Sequence, residues 1–165
     1  MKRLVLVRHA KAEPWGYDDD FSRALTERGE SDARKVSRAL KYSGIIPDLM
    51  ISSSALRALQ TAILFAGEMG YPEKSIIKNS VLYQGLTSGE LLGIIRKLKD
   101  EYGTLFLFGH NPAQSFMARG FCRDFSGEMP TCSSVVIDFQ VENWEEITLH
   151  SGTLFQQFNP KEIPD

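Results

Sequence analysis

The 165 residues carry 19 Lys and Arg against 21 Asp and Glu, a formal net charge of −2 that gives no bulk attraction to nucleic acid or an anionic membrane. A composition that is 42% hydrophobic and 24% charged is that of a folded globular protein, and the length suffices for one domain, residues 1–165, with a substantial core. There is no basic–aromatic interleaving of the kind nucleic-acid surfaces show, and no apolar stretch of membrane-spanning length.

The first element is Leu4 to Val7, a continuous apolar run expected of a strand buried on both faces. Met1-Lys2-Arg3 ahead of it resembles the start of a signal peptide, but four apolar residues before Arg8 are too few for its apolar region. Lys11 to Arg23, with Pro14, Gly16 and the run Asp18-Asp19-Asp20, reads as a loop. Thr26 caps a helix on which Ala33, Val36, Ala39 and Leu40 recur at helical spacing and which Gly44 ends. Pro47 to Ile51 is a short second strand, followed by Ser52-Ser53-Ser54. Ala55, Leu59, Ala62, Ile63 and Ala66 then build an amphipathic helix that stops near Gly70. A further short strand is expected within Ile76 to Leu82. Ser88 is the expected N-cap of the next helix, with Leu91, Leu92, Ile95 and Leu98 on one face. Thr104 to Phe108 is a second buried strand, ending at Gly109-His110, and Pro112 falls near a first helical turn, where its missing N–H is harmless. Cys122 and Cys132 have no metal-ligand spacing and form no disulfide framework; two reduced thiols suggest the cytoplasm. Val135 to Val141 and Ile147 to Phe158 read as strands around a turn at Glu142-Asn143, an antiparallel hairpin at a sheet edge. Alternation of strands and helices predicts an α/β layered domain with a mostly parallel sheet.

Three of these strands run into polar corners: Arg8-His9, Ser52 to Arg57, and Gly109-His110-Asn111. In a parallel sheet the carboxyl ends of the strands gather on one edge, where ligands bind. Two imidazoles, two guanidinium groups and the amino ends of helices would then converge there, an arrangement suited to a dianion such as phosphate. Nearby cations also disfavour protonation of an imidazole, keeping it neutral enough to act as a nucleophile.

Four blocks in order carry a more specific resemblance. Leu6-Val7-Arg8-His9-Ala10-Lys11-Ala12-Glu13 resembles the RHG-type signature of the histidine phosphatase superfamily, with Ala10 in place of the commoner glycine, as in the SixA-type phosphohistidine phosphatase branch. Arg23-Ala24-Leu25-Thr26-Glu27-Arg28-Gly29, the segment Ser52 to Ala62 with Arg57-Ala58 and Thr61-Ala62, and Gly109-His110-Asn111-Pro112 are similar to further blocks of that branch. The resemblance spans Arg8 to Pro112 and implies a phosphoglycerate mutase-like three-layer α/β/α sandwich with a mostly parallel sheet and an antiparallel edge. It implies that His9 attacks phosphorus, that Arg8, Arg57 and His110 bind the phosphoryl oxygens with Arg23 as a fourth ligand, and that no metal or other cofactor is needed. The other ring nitrogen of His9 is expected to donate to a backbone carbonyl.

Phosphatases of this superfamily that cleave esters carry a carboxylate after a mid-chain strand, and here Leu82 to Thr87 has none before Glu90. Glu90, Glu13 and the Asp18 to Asp20 run are the candidate acids; in a first helical turn Glu90 also serves as a residue complementing the dipole. A phosphohistidine substrate needs an acid least, and the chain lacks a long insertion to cover the pocket. Both features lean toward a phosphorylated protein as substrate rather than a small phosphorylated compound. The alternatives are a small-molecule phosphomonoesterase, a phosphate-binding module without turnover, and a metal hydrolase using His9, His110 and His150. No carboxylate–histidine spacing supports the last, and His150 reads as an ordinary strand residue.

Overall fold

In the computed structural model, which describes residues 1–14 and 19–165, the first strand organises the rest. Strand β1, Lys2–Arg8, is buried on both faces because its successive side chains point to opposite sides of the sheet. Leu4 and Leu6 enter one core, and Val5 and Val7 the other. Gly16 and Asp18, assigned above to the loop, lie outside the described residues.

Helices α1, Glu27–Tyr42, and α2, Leu56–Met69, cover one face; Ala33, Val36 and Leu40 of α1 and Ala62, Phe65 and Ala66 of α2 pack on Val5 and Val7. Helices α4, Ser88–Ile95, and α5, Ala113–Phe121, cover the other, through Leu91, Ile95, Met117, Ala118 and Phe121 against Leu4 and Leu6. A four-residue helix α3, Val81–Gln84, precedes α4. The result is the expected three-layer α/β/α arrangement.

The remaining strands are β2, Leu49–Ser52; β3, Ile77–Lys78; β4, Thr104–Gly109; β5, Ser134–Phe139; and β6, Thr153–Phe158. They lie in the order β3-β2-β4-β1-β5-β6. β1 to β4 run parallel, whereas β5 pairs antiparallel with both β1 and β6. The carboxyl ends of β1, β2 and β4 are therefore neighbours on one edge.

Several local expectations are corrected. The strand sought within Ile76 to Leu82 is only Ile77–Lys78, since Leu82 turns into α3 and is buried there. Thr87, not Ser88, caps α4: its hydroxyl accepts from the Glu90 N–H while the Glu90 carboxylate accepts from its own N–H. Leu98 lies beyond the end of that helix, although it still packs on the core. The segment Ile147 to Gly152 is not strand, and β6 starts at Thr153. Burial of Trp144 is the reason: its indole N–H donates to the Tyr102 carbonyl and its backbone N–H to Asp100, which pulls the chain off the ladder into a 3-10 turn, Trp144–Glu146. His150 consequently sits exposed in a turn with φ of +60°, not in a strand.

Among the described residues no helix is long and apolar enough to cross a membrane, and no group of three or more His, Cys, Asp or Glu could hold a metal ion. Cys122 and Cys132 are free and buried.

Candidate active site

The register of the two central strands brings the histidines together. Arg8 pairs with Gly109 across β1 and β4, so His9 and His110 each follow the last rung of the same ladder. Adjacent strands lie about 4.8 Å apart, and the two imidazole centroids are 5.2 Å apart. Gln114 pins this end of the sheet from below, donating its amide to the Val7 and Leu107 carbonyls at 2.9 and 3.1 Å.

Arg57 arrives from the first turn of α2, and Thr61, one turn further on, locks it to the His9 corner. The Thr61 hydroxyl donates to the Arg57 carbonyl at 2.7 Å and accepts from the Ala10 N–H at 3.0 Å. Gly29 explains the spacing of its block: a Cβ there would collide with the Lys11 carbonyl, which accepts from the Thr26 N–H, while the Thr26 hydroxyl accepts from the Gly29 N–H. This close approach ties the segment after His9 to the start of α1.

His9 is 8% exposed, and its Nδ1 lies 2.7 Å from the Ala10 carbonyl. A carbonyl only accepts, so Nδ1 carries the proton and Nε2 keeps its lone pair. Burial, with smaller contributions from Arg57, Arg8 and, once it is itself protonated, His110, outweighs the Ala10 hydrogen bond and brings its pKa from 6.5 down to about 3. Burial and the Arg57 charge lower His110 to about 4. Both rings are neutral at physiological pH. The Ser53 hydroxyl accepts from the Ala55 N–H and lies 2.8 Å from His110 Nε2, so its own hydrogen is available to that nitrogen. With that hydrogen given to Nε2, the His110 proton lies on Nδ1.

Arg8 donates from Nη1 to the Met129 carbonyl, and burial lowers its pKa. Arg57 donates from Nη1 to the backbone carbonyl of Asp20 and from Nη2 to the Asp20 carboxylate. Arg23 stands beside it, bonded to the same carboxylate and to the Glu13 carbonyl. Among the described residues, four buried side-chain polar atoms have no partner within the protein: Arg8 Nε, Arg57 Nε, His110 Nδ1 and the Ser134 hydroxyl. Three of the four belong to the predicted phosphate ligands. These three nitrogens belong to the residues whose charges or rings neighbour His9, and nitrogens buried without an acceptor are the kind of group an anion satisfies.

The candidate acids fare differently. Glu90 is exposed and committed to capping α4, a bond that also lowers its pKa. Glu13 contributes its backbone carbonyl to Arg23. Asp19 caps the 3-10 turn Asp20–Ser22, Asp20 engages the arginines, and Asp18 lies outside the described residues.

Sequence reasoning missed three contributors. Tyr83 stacks edge-on to His110 at 5.6 Å and donates its hydroxyl to Asp20 at 2.7 Å; it carries no motif of its own. The segment Met129 to Ser133 closes the site from behind, accepting from Arg8 and Asn111 at Met129 and donating from the Cys132 N–H to the His9 carbonyl. These are mainly backbone contacts, which leave no side-chain signature. Beside His110, a cleft of about 370 Å³ opens between the Tyr83–Ser88 segment and the start of α5. Leu86, Pro112, Ala113 and the exposed Phe116 form much of its wall, and among the described residues no Asp, Glu, Lys or Arg lines it.

Known proteins resemble this chain in sequence and in fold. Residues 4–80 match the model of the histidine phosphatase superfamily (branch 1). The chain is 30% identical over 162 residues to an uncharacterized chloroplastic protein of Arabidopsis thaliana, covering 92% of this chain and 72% of that one. It is 37% identical over 95 residues to the 2,3-bisphosphoglycerate-dependent phosphoglycerate mutase of Methylocella silvestris, 55% of this chain but only 45% of the mutase. The chain thus spans under half the length of that mutase in the match. Among solved structures, SixA from Agrobacterium tumefaciens superposes with a TM-score of 0.79 at 25% identity over 96% of this chain and 98% of that one. The protein histidine phosphatase SixA complexed with tungstate gives 0.83 at 20% identity, over 97% and 98%. The chain belongs to the histidine phosphatase superfamily, on its SixA-type branch, and is an enzyme of the phosphatase class.

Proposed function

We propose that this chain hydrolyses phosphohistidine on proteins through a covalent phosphoryl intermediate on His9. The observation that carries the reading is that Arg8 Nε, Arg57 Nε and His110 Nδ1, on three residues neighbouring a neutral His9, are buried with no partner among the described residues. The His9 Nε2 lone pair forms the new bond to phosphorus while the bond from phosphorus to the substrate imidazole breaks. That imidazole, protonated on its far nitrogen, leaves as a neutral ring and needs no acid. Charge on the equatorial oxygens is met by Arg8, Arg57 and His110, with Arg23 behind Arg57. As the phosphoryl group arrives, the His9 ring becomes cationic, and the Ala10 carbonyl stabilises its Nδ1–H. Water then forms a bond to phosphorus, the P–Nε2 bond breaks, and inorganic phosphate and one proton leave.

Two features support a protein-borne imidazole over a sugar phosphate. Two of the candidate carboxylates are committed elsewhere: Glu90 is tied up in its cap, and Asp20 is held ionised, near pKa 2, first by the Tyr83 hydrogen bond and then by its arginines. The cleft beside His110 offers apolar walls and, among the described residues, no Lys or Arg for the acid or phosphate groups of a metabolite. The 95-residue match to phosphoglycerate mutases favours the second reading, hydrolysis of a small phosphorylated compound. We place the protein in a reducing, cytoplasmic setting, in keeping with its two free buried thiols, acting as one domain. The test is a substrate panel run beside His9→Ala. Turnover of a phosphohistidine protein, with phosphoserine and sugar phosphates left intact and the variant inert, supports the proposal. Preferential turnover of a sugar phosphate replaces it with the second reading.

A further inference from the structure

A guanidinium group presents two hydrogen-bonding edges, the outer one formed by its two Nη groups and the side one formed by Nε and a neighbouring Nη. Arg57 uses its outer edge on a single residue: Nη1 donates to the Asp20 carbonyl at 2.8 Å and Nη2 to its carboxylate at 3.0 Å. Its Nε, on the side edge, has no partner among the described residues. The same carboxylate accepts from Arg23 Nε at 3.0 Å on one oxygen and from the Tyr83 hydroxyl at 2.7 Å on the other. Tyr83 in turn lies 5.9 Å from the Arg57 guanidinium and edge-on to the His110 ring. Asp20 is thereby the common acceptor of groups carried by the loop, by α2 and by α3.

From this geometry we infer that Asp20 is a positioning residue, whose carbonyl and carboxylate anchor the outer edge of Arg57 so that its side edge is presented to the phosphoryl oxygens. The inference rests on the phosphatase reading of the site. Acid catalysis by Asp20 is a poor alternative, because a carboxyl group holding two guanidinium groups and a phenol stays ionised across the working pH range. Competition with substrate is also disfavoured, since the carboxylate occupies the outer edge and leaves the side edge free. Asp20 is ion-paired with both Arg23 and Arg57 at 3.0 Å, so the three groups together keep one net positive charge, which adds to that of Arg8 for the phosphoryl group.

The experiment compares Asp20→Ala and Asp20→Asn with the parent, alone and combined with Arg57→Ala, measuring kcat, KM, the pH profile and orthovanadate affinity. Misplacing a reacting or stabilising group by about 1 Å costs on the order of 100-fold, so Asp20→Ala should lose kcat by about that factor with a smaller change in KM. Both variants keep the backbone carbonyl; Asp20→Asn, which also keeps one side-chain acceptor, should fall between Ala and the parent, and it alone keeps the test valid if Asp20→Ala does not fold. Vanadate affinity should fall in the same order, and each substitution should weaken the Arg57→Ala variant by a much smaller factor than it weakens the parent, the remainder acting through Arg23 and Tyr83. Equal losses in Asn and Ala with a displaced basic limb of the pH profile would make Asp20 a proton donor and overturn the inference. Tighter vanadate binding in Asp20→Ala would make it a competitor and overturn it likewise. If no phosphorylated substrate is turned over by the parent, the phosphatase reading fails, whereas the vanadate series still reports on the anchoring of Arg57.

Discussion

Thr61→Val probes the joint between the nucleophile corner and α2 while leaving both charged groups in place. Thr61 is fully buried, and its hydroxyl accepts from the Ala10 N–H at 3.0 Å and donates to the Arg57 carbonyl at 2.7 Å. Valine nearly matches threonine in shape, so packing is kept and the main loss is hydrogen bonding. An unsatisfied buried N–H costs about 1–3 kcal/mol. With a melting temperature falling about 2–4 °C per kcal/mol in a chain of this size, a loss of about 2 kcal/mol lowers Tm by about 4–8 °C. Relaxation of Ala10 away from the orphaned position also carries His9 off its line to phosphorus, and a shift of a few tenths of an ångström should lower kcat by about tenfold, against about 100-fold for a full ångström. Differential scanning calorimetry and turnover of a phosphohistidine peptide measure the two effects, with Thr61→Ser, which keeps the hydroxyl, as the control. Parent-like Tm and kcat in the valine variant, or equal damage in serine and valine, would refute the reasoning.

Arg57→Lys should lose kcat by on the order of 100-fold, because a point ammonium cannot hold Asp20 and a phosphoryl oxygen on two separate edges; steady-state kinetics at saturating substrate checks this. In an NMR titration the rings of His9 and His110 should not protonate between about pH 5 and 8, since burial and cationic neighbours lower them to about 3 and about 4; midpoints near 6.5 would contradict the site electrostatics. The same depression has a stability consequence. The unfolded chain takes up these protons near pH 6.5 and the folded chain does not, so stability should decline as pH falls from 6.5 toward the folded values, which equilibrium denaturation at stepped pH would detect. Gly29→Ala should lower Tm and kcat together by forcing the Lys11 backbone away from α1, as thermal melts and kinetics would register. Excess chelator should leave turnover unchanged, because arginines supply the positive charge at the site and no described cluster of metal-ligating residues stands near it.

What was legible in the sequence was what backbone periodicity and strand ends encode. The apolar runs of β1 and β4 ended where the charged corners began, and the parallel rule then put His9 and His110 side by side. The Thr26, Thr61 and Gly29 positions of the motif blocks acquire physical reasons only in three dimensions, as a cap, a bridge and a close backbone approach. Tertiary burial decided the elements that differed. Trp144 outweighed the strand propensity of Ile147 to His150, and Thr87 outcompeted Ser88 as a cap because it pairs reciprocally with Glu90. The acidic run was legible as charge but not as geometry: nothing local distinguishes Asp20, bound to Arg57, Arg23 and Tyr83 from three separate segments, from Asp19, which caps a turn. The cationic neighbours expected to keep His9 neutral do act in that direction, yet burial is the larger cause.

The most direct test of the account is where the phosphoryl group goes. The parent protein is mixed with an isotopically labelled phosphohistidine substrate, quenched in base within one turnover, digested and mapped by mass spectrometry. The account predicts a base-stable, acid-labile phosphoryl group on the peptide containing His9, absent from His9→Asn. Label on any other residue, or full turnover with no label on His9 at any quench time, would contradict it.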